Sequence, residues 1–150
     1  MYAKSSPLIY IDPFGLCWVY SQSTGQLTHV DPNGDIDYAA NGGYSGYGAG
    51  YKNNPAMQSV QAAQKGDPAG PIPQGSYSIG QPRDSVNTGP YVMDLTPLPG
   101  TNTFNRTLLE IHGERKKGPP GKASTGCIIE PLNVRQKIAN SNDNCLQVVP

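Results

Sequence analysis

Glycine and proline interrupt this chain so often that long regular elements have no room. There are 18 Gly and 15 Pro, about a fifth of the 150 residues. Proline removes a backbone donor and glycine adds chain entropy, so elements must be short and joined by turns. With only 15% charged residues, this punctuation points to a mostly β, β-rich α+β domain. At 16.0 kDa the chain suits one modest core and one domain. Eleven basic and eleven acidic residues cancel, which leaves no global field to attract nucleic acid or an anionic membrane. No apolar run reaches the roughly 18 to 20 residues that span a bilayer. The N-terminal stretch lacks the apolar core and cleavage site of a signal peptide, so a role outside the cytosol calls for another carrier.

Residues 1–15 read as a lead-in, broken by Pro7, Pro13 and Gly15. An apolar run at 16–20, a turn over Ser23, Thr24 and Gly25, and a return run at 26–30 predict a β-hairpin. "YAANGGYSGYGAGYKNN" (38–54) reads as a surface loop, or as a groove wall carrying Tyr44, Tyr47 and Tyr51. Asn54 as N-cap, Pro55 at the first position and Gly66 past the end predict a helix over about 55–65. Strands follow at 77–79, 91–95 and 106–113, then a second helix at about 131–140 and a closing strand at 145–149. In the strand 106–113, period-two alternation sets Leu108, Glu110 and His112 on one face, with Leu109 and Ile111 on the other. Cys17 and Cys145 fall on the first and last strands; they are either a disulfide or two separately buried thiols.

"IHGERKKGPPGKASTGCIIEP" (111–131) carries the chemistry. His112 closes a strand and Cys127 follows it fifteen positions later, across a loop too polar and too rich in Gly and Pro to pack. A cysteine attacks acyl groups as a thiolate and needs a base in reach to become one. Singly, a buried Cys is a small hydrophobe and a His a satisfied polar residue. Together, with Gly113 after the His and Ser124, Thr125 and Gly126 before the Cys, they point to catalysis. Gly126 permits a tight turn whose amides, with that of Cys127, could face a substrate carbonyl. Arg115, Lys116, Lys117 and Lys122 would favour the thiolate. A zinc site is not expected, since no further ligands stand at suitable spacing, and no cofactor is called for.

These residues resemble the L,D-transpeptidase (YkuD-like) family. "IHG" and "STGCII" are similar to its strand-end His-Gly and its Ser-His-Gly-Cys; "GPIPQGSYSIG" (70–80) is similar to its Thr-Pro-x-Gly-x-aromatic-x-Ile element, with Tyr77 as the aromatic. The opening hairpin and the helix-then-strand ending agree in order, so the resemblance runs over about 16–149. It implies a single domain with a mixed sheet or sandwich and two short helices, over residues 16–150. It also implies Cys127 as nucleophile, His112 as base and the Gly113 carbonyl as the group that orients the imidazole. Ser124, Thr125 and Gly126 would line the oxyanion side, and Tyr77 the substrate side. Thr125 stands where the family has His, and Ile129 where it has Arg. Carboxylate binding then falls to Arg115, Lys116 or Arg106, while Glu110 is a second candidate for orienting His112.

The shortened branch of the family found among type VI secretion effectors is the nearest in pattern, and "SPLIYIDPFGL" (6–16) resembles the boundary that ends an Rhs core. The resemblance implies an antibacterial toxin tip, delivered by a secretion system to the periplasm of a target bacterium. Its partners would be peptidoglycan stem peptides, a cognate immunity protein and a secretion-apparatus carrier. The reaction implied is release of D-Ala from stem tetrapeptides, or its exchange for another D-amino acid. The alternative is a non-enzymatic peptidoglycan-binding or structural tip. Papain-like and NlpC-type peptidases place Cys before His, so their order does not fit.

Overall fold

In the computed structural model, which describes residues 17–150, strands β1 (Trp18–Ser21) and β2 (Leu27–Val30) form the expected hairpin. Gly25 closes its turn at φ +73°, and an added Cβ there would lie 2.2 Å from the Gly43 carbonyl oxygen. After β3 (Ile36–Ala40) and β4 (Tyr44–Ser45) come β5 (Gly75–Ile79), β6 (Arg83–Ser85), β7 (Gly89–Pro97), β8 (Glu110–His112), β9 (Ile128–Ile129), the helix α1 (Leu132–Asn140) and β10 (Cys145–Val149). One mixed sheet runs β3-β2-β1-β10-β5-β7-β8-β9-β4, with β6 paired to β7. The pairs β1–β10 and β8–β9 are parallel and the others antiparallel. The described residues form a mostly β fold with one α-helix, in one compact domain.

The core is built by alternate residues of the central strands, among them Trp18, Tyr20, Tyr77, Met93, Ile111 and Leu146, all fully buried. Helix α1 adds Val134 and Ile138. Cys17 and Cys145 form a disulfide, with Cα atoms 4.6 Å apart, where β1 and β10 run side by side. Of the two thiol arrangements, the bridge is the one present.

Three expectations are corrected. The helix over 55–65 is a single 3₁₀ turn, Pro55–Met57, although Asn54 does cap it by accepting from the Ala56 amide at 3.0 Å. The segment cannot continue as a helix because tertiary partners take its polar groups. The Gln58 carbonyl accepts from Arg106 at 2.6 Å, and its side chain accepts from the Gln74 amide at 2.9 Å. The strand over 106–113 shrinks to Glu110–His112, because Leu108 within it has φ of 57°, outside the β region. Leu108 is 86% exposed and so leaves the face it was expected to share with Glu110 and His112. The Tyr-rich segment is not a free loop: β4 within it pairs with β9, and Tyr47 bridges to Ala69. The lead-in at 1–15 lies outside the described residues.

Candidate active site

The parallel register of β8 and β9 is what brings the two ends of the 111–131 stretch together. Ile111 pairs with Ile128 and His112 with Ile129, so Cys127 falls level with Glu110. Residues i and i+2 of a strand share a face, so His112 and Glu110 look the same way as the thiol. A ring nitrogen of His112, a Glu110 carboxylate oxygen and the Cys127 sulfur all lie within 4.8 Å of one another. The His112–Cys127 pair is close but not hydrogen-bonded; the thiol donates instead to the Leu108 carbonyl at 3.5 Å.

His112 is 5% exposed, and its Nδ1–H donates to the Gly113 carbonyl at 2.9 Å. That bond holds the ring in the tautomer whose lone pair is on Nε2. Burial keeps the imidazole below its usual pKa, hence neutral and able to accept a proton. Cys127 is 8% exposed, and burial, reinforced by the Glu110 charge, pushes its thiol up to about 12. The resting pair is therefore neutral thiol and neutral imidazole.

The turn before Cys127 is held from within. Ser124 Oγ donates to the Cys127 carbonyl at 2.5 Å and accepts from the amides of Gly126 at 3.0 Å and Gly46 at 2.9 Å. Ser124 is thus a staple of the turn, and the Gly126 amide is already spent, which corrects the expectation that both line an oxyanion site. Arg106, 4% exposed, donates to the carbonyls of Gln58, Pro71, Gly70 and Thr125. It has no spare donor role at the surface, so it is a scaffold for the turn rather than a receptor for a substrate carboxylate. Its charge still favours the thiolate. Tyr77 is fully buried, with its hydroxyl donating to the Pro73 carbonyl at 2.8 Å, and so belongs to the core and not to a substrate-facing wall.

Thr125, Arg115, Lys116, Lys117 and Lys122 are exposed. The basic loop is a solvated rim, and the cation beside the thiol is Arg106. The loop is nonetheless tied down. Tyr44 donates to Glu114 at 2.8 Å, the Gly121 amide donates to Glu114 at 2.8 Å, and Lys52 Nζ donates to the Gly121 carbonyl at 3.1 Å. Among the site's supports, Arg135 escaped the sequence reading. It donates to the carbonyls of Glu130, Pro90 and Tyr91, and an added Cβ on Gly113 would lie 2.6 Å from its Nη2. The signal was an arginine beside Val134 and Ile138 on the inward face of α1.

No protein-family model and no curated protein matches the chain. Among solved structures, the L,D-transpeptidase (residues 123–326) of Xylanimonas cellulosilytica is similar at TM-score 0.55 and 16% identity, over 90% of this chain and 60% of that one. The Ldtfm–avibactam carbamoyl enzyme is similar at TM-score 0.50 and 13% identity, over 91% of this chain and 49% of that one. The chain thus spans about half to three-fifths of the solved chains it matches. With a mixed β-sheet that sets a strand-end His-Gly beside a Gly-Cys turn, the chain has the fold of L,D-transpeptidase domains.

Proposed function

We propose that the chain is a cysteine acyltransferase that acts on peptidoglycan stem tetrapeptides. The observation that carries this reading is the His112–Cys127 approach in an L,D-transpeptidase fold, with the imidazole tautomer held by the Gly113 carbonyl. His112 Nε2 takes the Sγ proton as the sulfur attacks the carbonyl of the third stem residue. The oxyanion is met by the Cys127 amide. Collapse expels D-Ala, whose amine takes the proton back from His112 and leaves a thioester on Cys127. Water then releases the tripeptide, or the amine of another D-amino acid replaces the lost D-Ala. In the resting site the thiol donates to the Leu108 carbonyl, and substrate displaces that contact as the sulfur attacks. Arg115 or Lys116, on the exposed rim, would receive the stem carboxylate.

In this reading the domain is an antibacterial toxin tip on an Rhs-type carrier. It works in the periplasm of a target cell, and an immunity protein restrains it. Tripeptide-ended or exchanged stems cannot serve as donors for cross-links made from tetrapeptide stems, so the wall weakens. Mass analysis of muropeptides incubated with the protein should show loss of D-Ala, or its exchange, with native protein and neither with Cys127→Ala. His112→Ala should lose nearly as much. Expression with an export signal should be toxic, and cytosolic expression much less so. Unchanged muropeptides, or toxicity persisting in Cys127→Ala, would reject the mechanism in favour of a non-enzymatic binding tip.

A further inference from the structure

Three buried side chains of different donor type converge where β8 meets the turn into β9. Glu110, His112 and Cys127 are 8%, 5% and 8% exposed, and their donor atoms lie within 4.8 Å of one another. Residue spacing alone conceals this set, because Glu110 and His112 share a strand face while Cys127 arrives only through parallel pairing with β8.

We propose that Glu110, His112 and Cys127 form a binding site for a borderline-soft divalent cation, zinc by its donor set, which masks the thiol while bound. Three atoms no more than 4.8 Å apart share a point within about 2.8 Å of each, against about 2.0 to 2.3 Å for zinc–oxygen, zinc–nitrogen and zinc–sulfur bonds. Closing that gap takes side-chain shifts of about 0.5 to 0.8 Å. The Nδ1–H bond to Gly113 already leaves Nε2 as the free lone pair, the arrangement in which a ligating imidazole is normally supported. Glu110 is supported likewise: one oxygen accepts from Arg83 and the other from Thr88 Oγ1, both at 3.0 Å. Three protein ligands leave a fourth position for water or a small anion.

The charges around the cluster are mixed, and the Arg83 cation already pairs with Glu110 at 3.0 Å. Asp94 and Glu110 act on the thiol against Arg106, while Glu110 and Glu114 act on the imidazole against Arg135. Binding converts the Cys127 thiol and a zinc ion into a zinc–thiolate bond and one released proton, so the ion adds its charge to that of Arg106 in favour of the thiolate. Occupancy and acyl transfer are mutually exclusive, since both use the same sulfur and the same nitrogen lone pair.

The test uses the full chain, freed of metal with a chelator and titrated with Zn²⁺ and, separately, Co²⁺. Zn²⁺ should slow alkylation of Cys127 by iodoacetamide at least about tenfold, reversibly on adding chelator, and Co²⁺ should give a thiolate-to-metal charge-transfer band that Cys127→Ser lacks. Glu110→Gln, which keeps size and neutralises the carboxylate, should weaken Zn²⁺ binding about tenfold or more with the circular dichroism unchanged. Alkylation indifferent to millimolar Zn²⁺ would overturn the proposal. So would undiminished binding by Glu110→Gln, because the cation would then rest on His112 and Cys127 alone. Muropeptide turnover by the metal-free protein is read separately, so failure of this site and failure of the acyl-transfer reading are distinguishable.

Discussion

At the scale of residues, the turn that carries Cys127 depends on what is missing from Gly126 and what Arg106 supplies. Gly126 has φ +134°, and an added Cβ would lie 2.2 Å from Arg106 Nη2. Gly126→Ala should therefore cost about 1 to 3 kcal/mol in urea unfolding and displace the thiol, seen as a changed alkylation rate. Arg106→Met strands four carbonyls and should cost about 3 kcal/mol or more by the same measurement. A different cost sits at Glu130, which is 1% exposed, has no hydrogen-bond partner among the described residues on either carboxylate oxygen, and is pushed up to about 8 by burial. Its folded pKa is above its unfolded one, so the folded state holds the extra proton and stability falls as pH rises between about 4.5 and 8. Glu130→Met should flatten that slope and raise stability at pH 7 by on the order of 2 to 3 kcal/mol, measured by unfolding at several pH values.

Among the elements, His29 links strands to the far end of the chain. On β2, it meets Asp37 on β3 at 2.8 Å and Asp143, between α1 and β10, at 2.6 Å. Burial opposes its charge, but the two carboxylates outweigh that and hold the imidazole above its usual pKa. Its contribution is complete below the ordinary value near 6.5 and fades as pH rises through the raised folded value. His29→Gln should then cost about 1 to 2 kcal/mol at pH 5.5 and much less at pH 9, checked by urea unfolding at both. The hairpin, β5, β7, α1 and β10 were legible because local pattern and tertiary need agree there. The helix expected at 55–65 does not form, because Gln58 and Val60 accept from Arg106, Gln74 and Gly70 across the fold. His112 and Cys127 could be picked out by rarity and by their glycine neighbours. Glu110 as their third neighbour, Arg106 as scaffold and Arg135 behind Gly113 depend on register and burial, which no local spacing encodes.

For the molecule as a whole, the Cys17–Cys145 bridge closes a loop with a sequence separation of 128 residues. In the chain-entropy account such a loop is worth about 4 to 5 kcal/mol, so a Cys17→Ser, Cys145→Ser double variant should lose about that much in urea unfolding. Thiol counting under denaturing, non-reducing conditions should return one thiol, Cys127. The bridge also decides how the domain answers to pulling. Tension applied beyond Cys17 at one end and beyond Cys145 at the other passes through a covalent bond and bypasses the folded residues between them. With the bridge intact, the strand pairs around Cys127 carry no load, and only the part of β10 beyond Cys145 is drawn away from its neighbours. In a force-extension experiment the oxidised domain should therefore show no unfolding length between those two residues, whereas the reduced domain should release the whole segment, site included.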